Sequence, residues 1–151
     1  MKKIVINDCF GGYSISALAT KELAKRKGRE CFFFTIDLVT HGYTPISVEE
    51  ADGAFLWYAY SVNNPKYFKL NERDDDGLFK SANERARKIS LDDIKNDRSD
   101  PDLISVIEQM GEAANGKCSK LKIIEIPDDV EWEIDEYDGL ERVAEKHRTW
   151  N

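Results

Sequence analysis

The chain predicts an α+β domain: a mixed sheet of about five or six strands, two main helices and a C-terminal β-hairpin. Three observations carry this expectation. Short β-branched and aromatic runs recur, such as "KKIVIN", "ECFFFTI" and "CSKLKIIEI". Two segments place apolar residues at helical spacing between capping signals. Near the end, an Asp-Gly pair separates two alternating runs.

In order, "KKIVIN" reads as a largely buried first strand, and "NDCFGGYSIS" behind it as a glycine loop. "SALATKELAKRKG" predicts a helix with Ser16 as N-cap, Leu18 and Leu23 on the apolar side, basic residues in the last turn and Gly28 as the αL terminator. "ECFFFTI" follows as a strand. "HGYTPISVEEADG" is turn-rich, with Ser47 and Glu50 at capping-box spacing for one or two helical turns. "AFLWYAYSV", residues 54–62, predicts a strongly apolar strand, and residues 66–97 a charged surface excursion.

Asp100 and Pro101 then open a second helix, with Leu103, Val106, Ile107 and Met110 on one face and Gly116 at its end. That stripe is read as core packing rather than a cofactor contact. After the strand stopped by Pro127 comes the hairpin, with Asp138 and Gly139 as turn residues. Tyr137 then pairs with Leu140, Ile134 with Val143, Asp135 with Arg142, Glu131 with Lys146 and Val130 with His147. Opposite charges facing each other favour this register. No repeat or second domain is evident, so residues 1–151 read as one domain.

The net charge is −7, and it is unevenly placed. Residues 1–124 hold 19 acidic and 19 basic side chains, and residues 125–151 hold ten acidic and three basic. An acidic C-terminal ribbon counts against non-specific nucleic-acid binding. No stretch approaches a membrane span of about 20 apolar residues, and the apolar run after "MKK" is too short for a signal peptide. Cys9, Cys31 and Cys118 are widely spaced, which points to reduced thiols in a cytoplasmic setting. With only His41 and His147 besides, neither a metal site nor a cofactor is expected.

Each candidate site has a plain reading beside it. The glycine loop ends at a helix N-terminus, whose free N–H groups attract anions. Gly11 and Gly12 let backbone approach a phosphate, and Ser14 and Ser16 add hydroxyls. Equally, the glycines supply positive φ while Phe10 plugs the core. Cys9 is a weak candidate nucleophile with His41 or His147 as base, or simply a small buried hydrophobe. Arg148 and Trp150 can grip and stack on a ligand, or neutralise the ribbon and close the sheet. The nine acidic residues from Glu125 to Glu141 can imitate a nucleic-acid backbone, but a solvated hairpin face is the preferred reading.

Two stretches carry a resemblance: "VINDCFGGYSIS", and the run from "RSDPDLISVIEQMGEAANG" to "EYDGLERVAEKHRTW". They resemble small bacteriophage and prophage proteins of unassigned activity that open on an N-x-C-F-G-G loop. Those chains close on an E-Y-D-G hairpin followed by A-E-x-H-R-T-W. The likeness spans nearly the whole chain, with residues 66–96 as the variable part. It implies expression in an infected bacterial cytoplasm and an accessory role, counter-defence included, and it supplies no catalytic residues.

The resulting expectation is a non-enzymatic accessory protein capturing a small anionic, nucleotide-derived ligand. Its binding set is Asn7, Cys9, Phe10, Gly11, Gly12, Ser14 and Ser16, with Arg148 and Trp150. The alternatives are a Cys9-dependent enzyme acting on such a ligand, or an inhibitor of a host defence protein working through the acidic hairpin. The hairpin edge or the aromatic strand offers pairing to a second copy.

Overall fold

The computed structural model describes residues 1–37, 39, 42–63, 90–147 and 150. His41, Arg148 and most of the expected 66–97 excursion lie outside the described residues.

The α+β class and the C-terminal hairpin are as expected. The strands, however, do not share one mixed sheet: seven of them form three antiparallel sheets among the described residues. β1 (Lys2–Asn7) pairs with β5 (Leu121–Ile126). β2 (Phe32–Ile36) is flanked by β3 (Tyr43–Ile46) and β4 (Tyr58–Tyr60). β6 (Trp132–Tyr137) pairs with β7 (Leu140–Glu145).

The split has a physical cause at the outer edge of β1. The Val5 N–H donates to the Arg98 carbonyl, and the Arg98 guanidinium donates to the Val5 carbonyl. The Asn7 N–H donates to the Glu141 carboxylate at 2.7 Å. With these backbone groups satisfied by other partners, no third strand can add there.

Helix α1 (Ala17–Arg26) starts at Ser16, whose Oγ accepts from the Ala19 N–H, and Gly28 has a φ of 68° just past its end. Leu18 does not share its buried side; Ala17, Ala19, Thr20, Leu23 and Ala24 do. Helix α2 (Val48–Gly53) opens on the Ser47–Glu50 capping box that the spacing predicts. Helix α4 (Pro101–Met110) is capped by Asp100 with Pro101 in its first turn. It stops at Gly111, where φ reaches 58°, rather than at Gly116.

Two further expectations are corrected. The 54–62 strand shrinks to β4, because the chain leaving α2 runs along the surface with Phe55 84% exposed before it can pair. The end of the 66–97 excursion is core: helix α3 (Asp92–Asn96) and the residue before it bury Ile94 and Leu91. These join Val5, Ile15, Leu23, Phe33, Leu103 and Val106 in one apolar cluster that unites strands β1 and β2 with the helices.

The hairpin follows the predicted register. Tyr137 opposes Leu140, Ile134 opposes Val143 and Asp135 opposes Arg142. Asp138 and Gly139 both have positive φ, 50° and 86°, as a two-residue turn of this hand requires. The ladder ends at Trp132 and Glu145, with one more bond from the Lys146 N–H to the Glu131 carbonyl. The expected Val130–His147 pair lies beyond it.

Candidate functional site

The glycine loop divides into two halves with different tasks. In the first, Asn7 is fully buried and uses every polar atom of its side chain on protein. Its Nδ2 donates to the carbonyls of Cys9 (2.8 Å) and Gly139 (2.7 Å), and its Oδ1 accepts from the Lys120 N–H (2.9 Å). Asn7 therefore fastens the loop to the hairpin turn and to the start of β5. A Cβ on Gly139 would stand 2.5 Å from the Gly12 nitrogen and 2.8 Å from the Phe10 carbonyl oxygen. A Cβ on Gly11 would stand 1.7 Å from the Cys118 carbonyl oxygen. These glycines are needed for backbone packed on backbone. Gly12, at φ 89°, has the positive φ the loop predicts. Phe10 plugs nothing: it is 64% exposed.

The second half leads into α1, and the anion expected at that helix N-terminus comes from the protein itself. Asp52, on α2, accepts from the Ala17 N–H at 2.6 Å and from the Leu18 N–H at 3.2 Å. The Ser16 hydroxyl takes the next N–H and donates to the Ala113 carbonyl. The free donors of the first turn are thus consumed internally. Ser14 closes against Gly116, where a Cβ would stand 1.8 Å from the Ser14 Oγ. The Ser14 carbonyl accepts from the Gly116 N–H and the Ser119 hydroxyl.

Beside this helix start lies a cleft of about 510 Å³, within the usual range for a small-molecule site. Residues 13–16 form one wall and residues 116–118 another. Residues 54–57 and the α3 residues Asp92, Lys95 and Asn96 complete it. Two aromatic side chains there each face an ammonium group. Lys117 Nζ is 5.9 Å from the Phe55 ring centre, and Lys95 Nζ is 5.1 Å from that of Trp57. Lys95 is also paired with Asp92 at 3.1 Å. Lys117 has no carboxylate within ion-pair distance among the described residues.

Tyr13 links this cleft to the hairpin. Its hydroxyl donates to the Lys95 carbonyl at 2.6 Å, and the Arg98 guanidinium lies 3.3 Å from its ring centre. Burial pushes the Tyr13 phenol up to about 12, with Arg98 opposing the shift. Arg98 in turn donates to both oxygens of Glu141, at 2.8 and 3.0 Å. Glu141, counted with the solvated ribbon in the sequence, is only 8% exposed.

Of the remaining expected site residues, Cys9 and Trp150 are described and Arg148 is not. The Cys9 Sγ donates toward Asn7 Oδ1 and the Cys118 carbonyl, both at 3.2 Å, and no histidine hydrogen-bonds it among the described residues. Trp150 is 87% exposed and does not close the sheet. β7 starts beside the loop, at the hairpin turn, and is itself about 17 Å long over its six residues. Phe55, Trp57, Lys95 and Lys117 were not among the expected site residues. In the sequence, Phe55 and Trp57 lie within the "AFLW" run read above as the start of a strand, and Lys117 is marked only by its place beside Cys118. Comparison with known proteins finds no matching family model, no matching curated protein and no matching solved structure.

Proposed function

We propose that the chain is a non-enzymatic binding protein that holds a small anionic ligand of nucleotide type in the cleft beside α1. The seat moves from the tip of the glycine loop, which serves the hairpin, to its 13–16 half. The supporting observation is the cleft's pairing of aromatic rings with ammonium groups, above all the exposed Phe55 beside Lys117. A flat base can stack on Phe55 while its phosphate meets Lys117. Lys95 offsets the charge of Asp92, and the positive end of α1 offsets part of that of Asp52. The likeness of the terminal motifs to phage and prophage proteins supports an accessory use for this binding, the sequestration of a host defence signal. Cys9 stays outside the proposal as a nucleophile, since no histidine stands beside it among the described residues.

Calorimetric titration with the nucleoside monophosphates and with dinucleotides tests this reading. Binding that weakens about 5- to 150-fold in Phe55→Ala, the range for loss of one stacking contact, and also weakens in Lys117→Ala is the expected result. Both side chains are surface groups, so the variants fold. No heat with any probe, or wild-type affinity in both variants, overturns it. Gly11→Val is unsuitable as a probe, because its side chain would collide with the Cys118 carbonyl whatever binds.

A further inference from the structure

Cys9 and Cys118 are 109 positions apart in sequence and meet in space. The Cys9 Sγ lies 3.2 Å from the Cys118 carbonyl oxygen. The Cys118 Cβ approaches the loop so closely that a Cβ on Gly11 would be 2.9 Å from it. Cys118 is exposed and lines the cleft, and Cys9 is half-buried. Glycine at position 11 is what permits this approach. A disulfide requires its two Cα atoms within about 4.4–6.8 Å, and here the Cys9 sulfur already rests against the Cys118 main chain.

We propose that Cys9 and Cys118 are a redox pair that closes to a reversible disulfide with a small-molecule disulfide of the glutathione type as oxidant. The Cys118 thiolate, at the surface, attacks one sulfur of the oxidant; an S–S bond forms to Cys118 and the first small thiol leaves. The Cys9 sulfur then attacks the Cys118 sulfur, forming the internal S–S bond and expelling the second small thiol. Two protein thiols are oxidised, one external disulfide is reduced, and the two protein protons end on the two released thiols. Asn7 Oδ1 loses the Cys9 donor but keeps the Lys120 N–H. The bond ties the 116–118 wall of the cleft to the glycine loop. This inference stands whether or not the cleft binds a nucleotide.

Cys31 provides an internal control. It lies in a different groove, beside Lys21 and Pro45, and burial pushes its thiol up to about 11. The full chain, reduced and then incubated with excess glutathione disulfide, is digested with trypsin without reduction and mapped by mass. The expected product joins peptide 4–21 to peptide 118–120, with peptide 30–66 unmodified. In Cys9→Ser, glutathione stays attached to Cys118, since nothing resolves it. In the wild type, a persistent adduct on Cys118, unreacted thiols, or a link through peptide 30–66 overturns the proposal.

Discussion

Removing the Glu141 carboxylate should unfasten the hairpin from the rest of the protein. The group sits in β7, on the same hairpin face as Ile134 and Val143, and three hydrogen bonds converge on it. Two come from Arg98, whose side chain is itself mostly buried, and one from the Asn7 N–H of β1. Glu141→Ala leaves a buried guanidinium unpaired and a buried amide without an acceptor. Breaking such a pair from one side costs about 3–5 kcal/mol. At about 2–4 °C per kcal/mol for a chain of this size, the melting temperature should fall by roughly 6–20 °C. Glu141→Gln keeps an oxygen for Asn7 and loses only the charge, so its cost should be smaller, about 1.5–3 kcal/mol. The double variant Arg98→Met, Glu141→Leu should recover part of the loss, because neither charge then has to be desolvated. Urea unfolding followed by tryptophan fluorescence, alongside calorimetric melting, measures all three. If Glu141→Ala unfolds within about 1 kcal/mol of the wild type, below the buried-pair range, the pair is not what holds the hairpin down.

Gly11→Ala should destabilise by about 1–3 kcal/mol, the usual cost of forced overpacking, since its Cβ would overlap a backbone carbonyl. Gly53→Ala, in a helix with open space around it, should be neutral or slightly stabilising; equal urea midpoints for the two would contradict the packing role. Alkaline pH should weaken the fold. The folded Tyr13 phenol keeps its proton to about 12 and the Cys31 thiol to about 11, against ordinary values of 10.0 and 9.0. The folded state therefore binds more protons across that window, and stability is lost as pH rises through it. Urea midpoints taken from pH 8 upward should decline, and Tyr13→Phe with Cys31→Ser should flatten the decline.

Local signals in the sequence were the reliable ones. The Asp-Gly turn, with opposite charges facing across it, set the hairpin register, and Ser16, Ser47 and Asp100 marked helix starts through chemistry contained within four residues. What stayed hidden depended on distant partners. Nothing near Asp52 says that it will cap a helix 35 positions earlier. Leu91 and Ile94 sit among charged residues, so their place in the core shows only once α1 is packed over them. The sheet was expected to be single because each strand was read alone; the competitors for the β1 edge, Arg98 and Glu141, come from later segments. Glu141 was the one long-range feature with a local clue. The predicted register already put it on the apolar side of the hairpin, in line with Val143.

The edge of β1 also sets an order of events during synthesis. Ile4, Val5 and Ile6 are almost wholly buried in the finished protein. Yet the carboxylate that satisfies Asn7 is translated 134 positions later. Until β5 and β7 emerge, this strand is an apolar ribbon with unpaired amides. Closing so long a loop carries an entropic cost that contacts within a helix never meet. Folding of this half is therefore completed after translation of the hairpin rather than alongside it. A ribosome stalled before Glu141 should display β1 to chaperones and proteases.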